Sequence, residues 1–290
     1  VGTDKRARQK ELRSSRLEQA KRQKAREDRR RRILRIGGVL AVVGIIVGLL
    51  AVFGSGDDQD VESAEATTTT ATPEATTTTL EGGLTPAELT GPGPGASIVG
   101  ETPCPKADGS SERTTSFEKP PPMCIDTSKT YLARFETTKG NIVVTLDAKN
   151  APKTVNNFVV LARYHFYDGS PFFRLIKDFA AQFGDPSERP SNRAQFGYTI
   201  PDELPAEGSY RVGSLAMANT GQPNTGGAQA FFILGEQGAS LPPQYALLGQ
   251  TTEGLETLAA INAVPSVRTA DNDGAPTEQI TINRIVIEER

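Results

Sequence analysis

The run Ile36–Gly56, IGGVLAVVGIIVGLLAVFGSG, holds no charged residue across 21 positions, and it decides how the rest of the chain can be arranged. At about 1.5 Å of rise per residue such a run crosses a hydrocarbon core of about 30 Å, which takes roughly 20 apolar residues. Its glycines and the block of bases ending at Arg35 fit a membrane segment better than a buried helix of a soluble domain. A cleavable secretory signal is the rival reading, since basic, apolar and small residues follow in that order. The basic region is long for a signal and no clear A-x-A site precedes Asp57, which favours an uncleaved signal anchor. Positive charge before the span predicts a single-pass protein of the cell membrane, with a cytoplasmic N-terminus and everything after Asp57 on the far side. Gly44 and Gly48 form a G-x-x-x-G pair, which in a glycine-rich span carries little weight.

The formal charge of −3 hides a division. Residues 1–35 carry fifteen Lys or Arg against five Asp or Glu, about +10, and the remaining 255 come to about −13. This basic segment has almost no apolar stripe and reads as a solvated cytoplasmic segment. Its charge serves topology and suits contact with anionic lipid headgroups; nucleic-acid binding is not expected without a reading element. Residues 57–96 contain TTTTATPEATTTT and then Gly and Pro, too few apolar residues for a core. They are expected to be a flexible linker with an end-to-end distance of roughly 35 Å, and their Thr and Pro density permits O-glycosylation.

Residues 97–129 form an expected arm holding KPPP at Lys119–Pro122 and the chain's two cysteines, Cys104 and Cys124. The expected oxidising compartment and the even count favour a disulfide closing a loop of about 20 residues. A metal site is not expected, because two cysteines and one histidine, His165, do not make a zinc set, and no cofactor is expected either.

From residue 130 to 290 the pattern is regular. YLARFETTKGNIVVTLDA alternates on either side of Lys139-Gly140, the mark of a β-hairpin with Ile142, Val144 and Leu146 on one face. PKTVNNFVVLARYHF opens with Pro152 and puts Val155, Phe158, Val159 and Ala162 on one helical stripe. A second helix is predicted over Thr252–Ala263 on Leu255, Leu258 and Ala259. Strands are predicted at Arg211–Asn219, Ala230–Leu234, Tyr245–Gln250 and Gln279–Glu288. Many short strands with two helices predict a mainly β fold, a closed antiparallel barrel capped by helices.

Acid, base and nucleophile are hard to find. His165 lies at the end of the first helix, no G-x-S-x-G occurs, and the glycines do not fall in a phosphate loop or a dinucleotide fingerprint. What remains is one arginine with amides and apolar side chains in three segments, FFRLIKDFAAQFGD, GSLAMANTGQPNTGGAQAFFILGE and LPPQYALLGQTTEG. Their order and spacing, with the hairpin and the helix starting APKTVNNF, resemble the cyclophilin family of peptidyl-prolyl isomerases over about Thr130–Glu289. The resemblance implies an eight-stranded barrel with a helix at each end and a proline-binding groove outside it. It implies Arg174 as the catalytic residue, oriented by Gln182. Phe179, Phe232 and Leu241 would line the proline pocket, with Phe172, Ala180 and Gln229 also at the groove. Ala218 and Asn219 would hold the peptide before the proline, and Tyr245 stands where some members have a histidine.

Four departures from the family pattern stand out. F-H-R is here Phe172-Phe173-Arg174, the methionine after Phe179 is Ala180, and Ala230 intervenes between Gln229 and Phe231-Phe232. The last leaves two readings: a bulge keeps Gln229 in the groove, or Ala230 takes the glutamine's place. Ser240 falls where cyclosporin-sensitive members carry tryptophan, which predicts weak cyclosporin binding. The leading expectation is a membrane-anchored isomerase, bacterial and actinobacterial-like, acting on proline-containing segments of exported proteins. The alternative is a proline-peptide binding or chaperone module with little turnover.

Overall fold

The computed structural model describes residues 84–191, 196–268 and 273–290. The basic segment, the apolar run 36–56 and most of the expected linker lie outside the described residues. No helix among those described is long and apolar enough to cross a membrane.

Alternation builds the sheet. In β3 (Tyr131–Thr137) every second residue is buried, and β4 (Gly140–Leu146) returns beside it with Thr137 opposite Gly140. Thr138 and Lys139 therefore form the turn, and Ile142, Val144 and Leu146 face inward as the pattern predicted. The further strands are β5 (Arg174–Ile176), β6 (Ala180–Phe183), β7 (Ser214–Met217), β8 (Ala230–Ile233), β9 (Leu247–Glu253) and β12 (Ile282–Glu289). They complete one antiparallel sheet in the order β12-β3-β4-β9-β7-β8-β6-β5. β12 runs the full length of β3, and just beyond it Thr130 and Arg290 exchange two backbone hydrogen bonds of 3.0 and 2.9 Å.

The sheet curls without closing, which corrects the expectation of a closed barrel. Its ladder stops at β12 on one side and β5 on the other. Between them lies a seam where Gly169 donates to Ile282 O (2.8 Å), Ile282 to Ser170 O (2.9 Å) and Phe172 to Ile280 O (2.9 Å). A single bridge, Pro171 to Thr281, falls in the middle. Proline has no N–H to give, so a regular ladder cannot pass through this point. The chain then leaves the seam and pairs with β6.

Inside the curl sits an aromatic core. Phe135 packs on Phe232 (ring centroids 5.1 Å apart) and Phe183 (5.7 Å), and Phe183 on Phe172 (5.4 Å) and Tyr167 (5.6 Å). Helix α1 (Pro152–Arg163) plugs one end with the predicted stripe Val155, Phe158, Val159 and Ala162. It is buried almost all round, because the arm covers its other face. Cys124 N donates to Asn156 Oδ1 (2.7 Å), Asn156 Nδ2 to Pro122 O (2.8 Å), and Tyr164 Oη to Pro103 O (2.9 Å). The arm is closed by the Cys104–Cys124 disulfide. At the start of α1, Lys153 and Thr154 donate their backbone N–H groups to the carboxylate of Glu203, an anion placed where a helix favours one.

Two short helices complete the fold, α2 (Glu236–Ala239) and α3 (Leu255–Asn262). α3 is shorter than predicted, since Thr252 and Glu253 continue β9, and its buried stripe is Thr257, Leu258 and Ile261. Leu255 stays half exposed and Ala259 is exposed. Two small sheets lie outside the main one: β1 (Ala96–Ile98) runs parallel to β2 (Thr114–Phe117), and β10 (Ser266–Arg268) pairs with β11 (Asp273–Pro276).

Residues 84–95, grouped with the linker on composition, lie against this body. Ala87 N donates to Pro276 O (2.8 Å), Thr90 N to Gln279 Oε1 (2.8 Å), Gln279 Nε2 to Thr90 O (3.0 Å), and Arg113 Nη2 to Gly93 O (3.0 Å). They cross the seam, with Pro92 resting on Gly169.

Candidate active site

The outward faces of β5, β6, β7 and β8 form the floor of a groove. The period of two sends Leu175, Ala181, Phe183, Leu215, Ala230 and Phe232 inward to the main core. Arg174, Ala180, Gln182, Ala216, Phe231 and Ile233 are left on the outer face. There Ala180, Ala216, Phe231 and Ile233 join Tyr210 in a second, smaller apolar cluster, with Phe179, Leu241 and Tyr245 against its edge. A shallow cavity of about 90 Å³ opens at this cluster, lined by Arg174, Phe179, Ala180, Gln182, Ala218, Asn219, Phe231, Leu241 and Tyr245.

Each wall has a local cause. Phe179 closes the β5–β6 turn, which is clamped from below: Leu234 N donates to Phe179 O (3.1 Å), and Gly238 of α2 lies so close that a Cβ there would come within 2.4 Å of the same oxygen. Leu241 follows α2 directly, its N–H donating to Gly238 O (3.2 Å). Tyr245 is pinned at its backbone by Tyr210, whose hydroxyl donates to Tyr245 O (2.6 Å) and accepts from Tyr245 N (3.0 Å). Burial pushes the Tyr210 phenol up from its ordinary value, so it stays a donor. The Tyr245 ring meets Phe231 edge-on at 5.1 Å. Asn219 fastens the rim, its Nδ2 donating to Gln244 O (2.8 Å) and its Oδ1 accepting from Gly221 N (2.9 Å).

The polar side of the groove is a chain of amides ending at the arginine. Arg174 and Gln182 face each other across β5 and β6, and Arg174 Nη1 donates to Gln182 Oε1 at 3.4 Å. Gln182 Nε2 donates to Gln229 Oε1 (2.8 Å), and Gln229 Nε2 to Ser191 O (3.4 Å). No histidine or carboxylate lines the cavity. The arrangement offers a guanidinium beside a small apolar recess, with no imidazole or carboxylate poised to exchange a proton.

Of the residues singled out in the sequence, the structure brings Arg174, Phe179, Ala180, Gln182, Ala218, Asn219, Leu241 and Tyr245 to the cavity, and Gln229 to the amide chain behind it. Two do not reach it. Phe232 is fully buried in the inner core and Phe231 takes the pocket wall instead. The β6–β8 and β7–β8 ladders run without a shift, so there is no bulge and Gln229 stays at the groove while Ala230 faces inward. Phe172 is also core, since it still pairs with Ile280 at the seam and precedes β5. Phe173 is fully buried and lines no part of the cavity. Ser240 is exposed and its hydroxyl donates back to Glu236 O (2.8 Å). Tyr210 was missed, having no place in the three motifs. Phe231 had a signal: it stands two residues after Gln229 in extended chain at the start of β8, hence on the same face.

The chain is similar in sequence to known proteins. The family described as "Cyclophilin type peptidyl-prolyl cis-trans isomerase/CLD" matches residues 132–287. Over 164 residues the chain is 37% identical to the human peptidyl-prolyl cis-trans isomerase-like 1, covering 56% of this chain and 93% of that one. Over 171 residues it is 35% identical to a probable peptidyl-prolyl cis-trans isomerase A of Mycobacterium leprae, covering 53% and 91%. Among solved structures, a Cryptosporidium parvum cyclophilin type isomerase crystallised in the presence of the dipeptide Ala-Pro matches with 29% identity and a TM-score of 0.48, covering 55% of this chain and 99% of that one.

Proposed function

We propose, for a chain that belongs to the cyclophilin-type peptidyl-prolyl cis-trans isomerase family, that X-Pro bonds rotate in the groove over β5, β6 and β8 with Arg174 as the key donor. The observation that carries this is the guanidinium of Arg174 held by an amide chain at the lip of an apolar recess lined by no histidine or carboxylate. Rotation about X-Pro breaks no covalent bond, but it must pass a barrier of about 18–20 kcal/mol set by amide resonance. In the twisted transition state the proline nitrogen becomes pyramidal and regains its lone pair. A guanidinium N–H directed at that nitrogen binds the twisted state more tightly than the planar one, which is what lowers a barrier. One preorganised donor of this kind contributes about 3–4 kcal/mol in a dry site. The recess formed by Phe179, Phe231 and Leu241 holds the pyrrolidine ring while the preceding carbonyl turns.

The substrates we propose are proline-containing segments of exported proteins, met outside the cytoplasm. Support for that placement comes from sequence: the charge-free run 36–56, the bases before it and the two cysteines after it. In the same reading residues 36–56 anchor the chain in the membrane and residues 1–35 contact anionic headgroups.

A protease-coupled isomerisation assay on the full chain tests the groove. Arg174→Ala is expected to lower kcat/KM for a model X-Pro peptide by about 10²–10³-fold, with thermal stability unchanged. A wild-type chain that binds the peptide without accelerating it, and an Arg174→Ala chain that binds it equally, would establish a binding module instead.

A further inference from the structure

We propose that residues Gly91–Pro94 act as a positioning strap for Arg174 by way of the loop Asp185–Ser191, a role that rests on the reading of the groove given above. The strap lies outside the family-matched region 132–287, so this device belongs to this chain's own extension.

The strap and the loop touch backbone to backbone. Gly91 N donates to Glu188 O (3.2 Å), and a Cβ on Gly91 would lie 2.0 Å from Ser187 O, so only glycine permits the approach. From within, the loop is shaped by Asp185, which is 2% exposed; its carboxylate accepts from Ser187 N (3.0 Å) and Ser191 N (2.7 Å). The segment is therefore fixed on both sides, by a buried carboxylate and by the strap, and it delivers the Ser191 carbonyl to Gln229.

That carbonyl sets the polarity of the amide chain. A carbonyl only accepts, so it demands the Nε2 end of Gln229, which leaves Gln229 Oε1 facing Gln182. Gln229 Oε1 demands the Nε2 end of Gln182, which leaves Gln182 Oε1 for the guanidinium of Arg174. Reversing Gln182 would set its N–H groups against the guanidinium of Arg174, and reversing Gln229 would set its own against Gln182 Nε2 and leave two oxygens facing each other at Ser191. Two of the three links are 3.4 Å long, beyond the usual N–H···O range of about 2.7–3.2 Å. A shift of the loop by a few tenths of an ångström is enough to release Gln229, and the strap is what opposes that shift.

The full chain tests this through Gly91→Val, which forces the strap off the loop, and Gln279→Ala, which removes the strap's anchor at Thr90 without touching the groove. Gln229→Glu supplies the third arm, since a carboxylate still accepts from Gln182 but has no N–H for Ser191. The expected result is a fall in kcat of about fivefold for Gly91→Val and about twofold for Gln279→Ala, with KM held within about twofold. In the Gln229→Glu background the same changes should have almost no further effect, because the link they act through is already gone. A strap that merely stabilises the fold predicts additive losses instead, and additivity, or an unchanged kcat in both strap variants, overturns the inference. If Gly91→Val does not fold, the Gln279→Ala series decides alone. An Arg174→Ala control keeps the two readings apart: its loss of activity beside unaffected strap variants sinks only the strap, whereas its retention of activity sinks the groove assignment.

Discussion

On β8, Phe232 points into the curl and meets Phe135, Phe172 and Phe183 with ring centroids 5.1–6.4 Å apart, while Phe231, one residue earlier, points out and meets one ring, Tyr245. The same contrast holds on β6, where Phe183 lies within and Gln182 without. The inner face has filled its space with its own side chains, and its contribution is the burial that holds the sheet together. The outer face buries a small cluster and leaves a recess beside it, with hydrogen-bonding groups tied to one another at the rim. An apolar surface the chain does not fill itself is one that a ligand can fill. Two phenylalanines adjacent in sequence thus serve folding and binding separately.

Exchanging one phenylalanine at a time should break the comparison apart most strongly. Phe232→Ala is expected to cost about 3–5 kcal/mol of stability by leaving a cavity among the inner rings, with kcat/KM per folded molecule little changed. Phe231→Ala should do the reverse, costing less stability and roughly tenfold in kcat/KM as a wall of the recess is lost. Denaturant unfolding and the isomerisation assay on both variants check this; equal stability losses would show that the two faces are not separate. Next in size is the disulfide. Reducing Cys104–Cys124 frees a loop of about 20 residues and should lower stability by about 3 kcal/mol, loosening the arm on α1 while the rate per folded molecule holds.

The smallest effect concerns pH. A hydrogen bond from Arg284 holds the Glu136 carboxyl below its usual range, and hydrogen bonds from Arg134 and Arg163 do so for Glu288 and Glu289. These carboxylates stabilise the fold above the ordinary glutamate range of about 4.3, and that contribution disappears as pH falls through their depressed values. The melting temperature should be flat above about pH 5 and decline below pH 4. Since no histidine or carboxylate lines the recess, kcat/KM should stay level between about pH 6 and 8. A bell-shaped rate profile in that interval would mean that the groove does have acid-base chemistry.

How far the sequence could be read depended on which physical rule governed each part. Arg174, Phe179, Gln182, Leu241 and Tyr245 were legible through the order of the motifs that resemble the cyclophilin family, and strands β5 and β6, the turn between them and the segment from α2 to β9 bring all five to the cavity. Phe232 was misplaced because one missing phenylalanine leaves two ways to count GAQAFF, and the choice between them is made by pairing with β6, a contact 47 residues away between Gln182 and Gln229. The open seam was hidden for the same reason, since Pro171 reads as a local residue until it faces Thr281. Residues 84–95 were the hardest. Their Gly and Pro content is that of a linker, and nothing in composition reveals that Thr90 and Gln279 hold each other across 189 residues.

The pairing of β12 along β3, closed off by Thr130 and Arg290, carries a consequence for the order of assembly on the ribosome. β3 is synthesised about 150 residues before its partner, and until β12 emerges one edge of β3 and one flank of α1 lack their cover. The sheet that supports the groove takes its edge strand from beyond the groove motifs, so a nascent chain halted before Ile282 has its arginine, its amides and its pocket residues but no finished scaffold beneath them. An unpaired strand edge of that kind invites the wrong partner. A protein proposed to help others through slow folding steps therefore completes its own sheet only with its last strand.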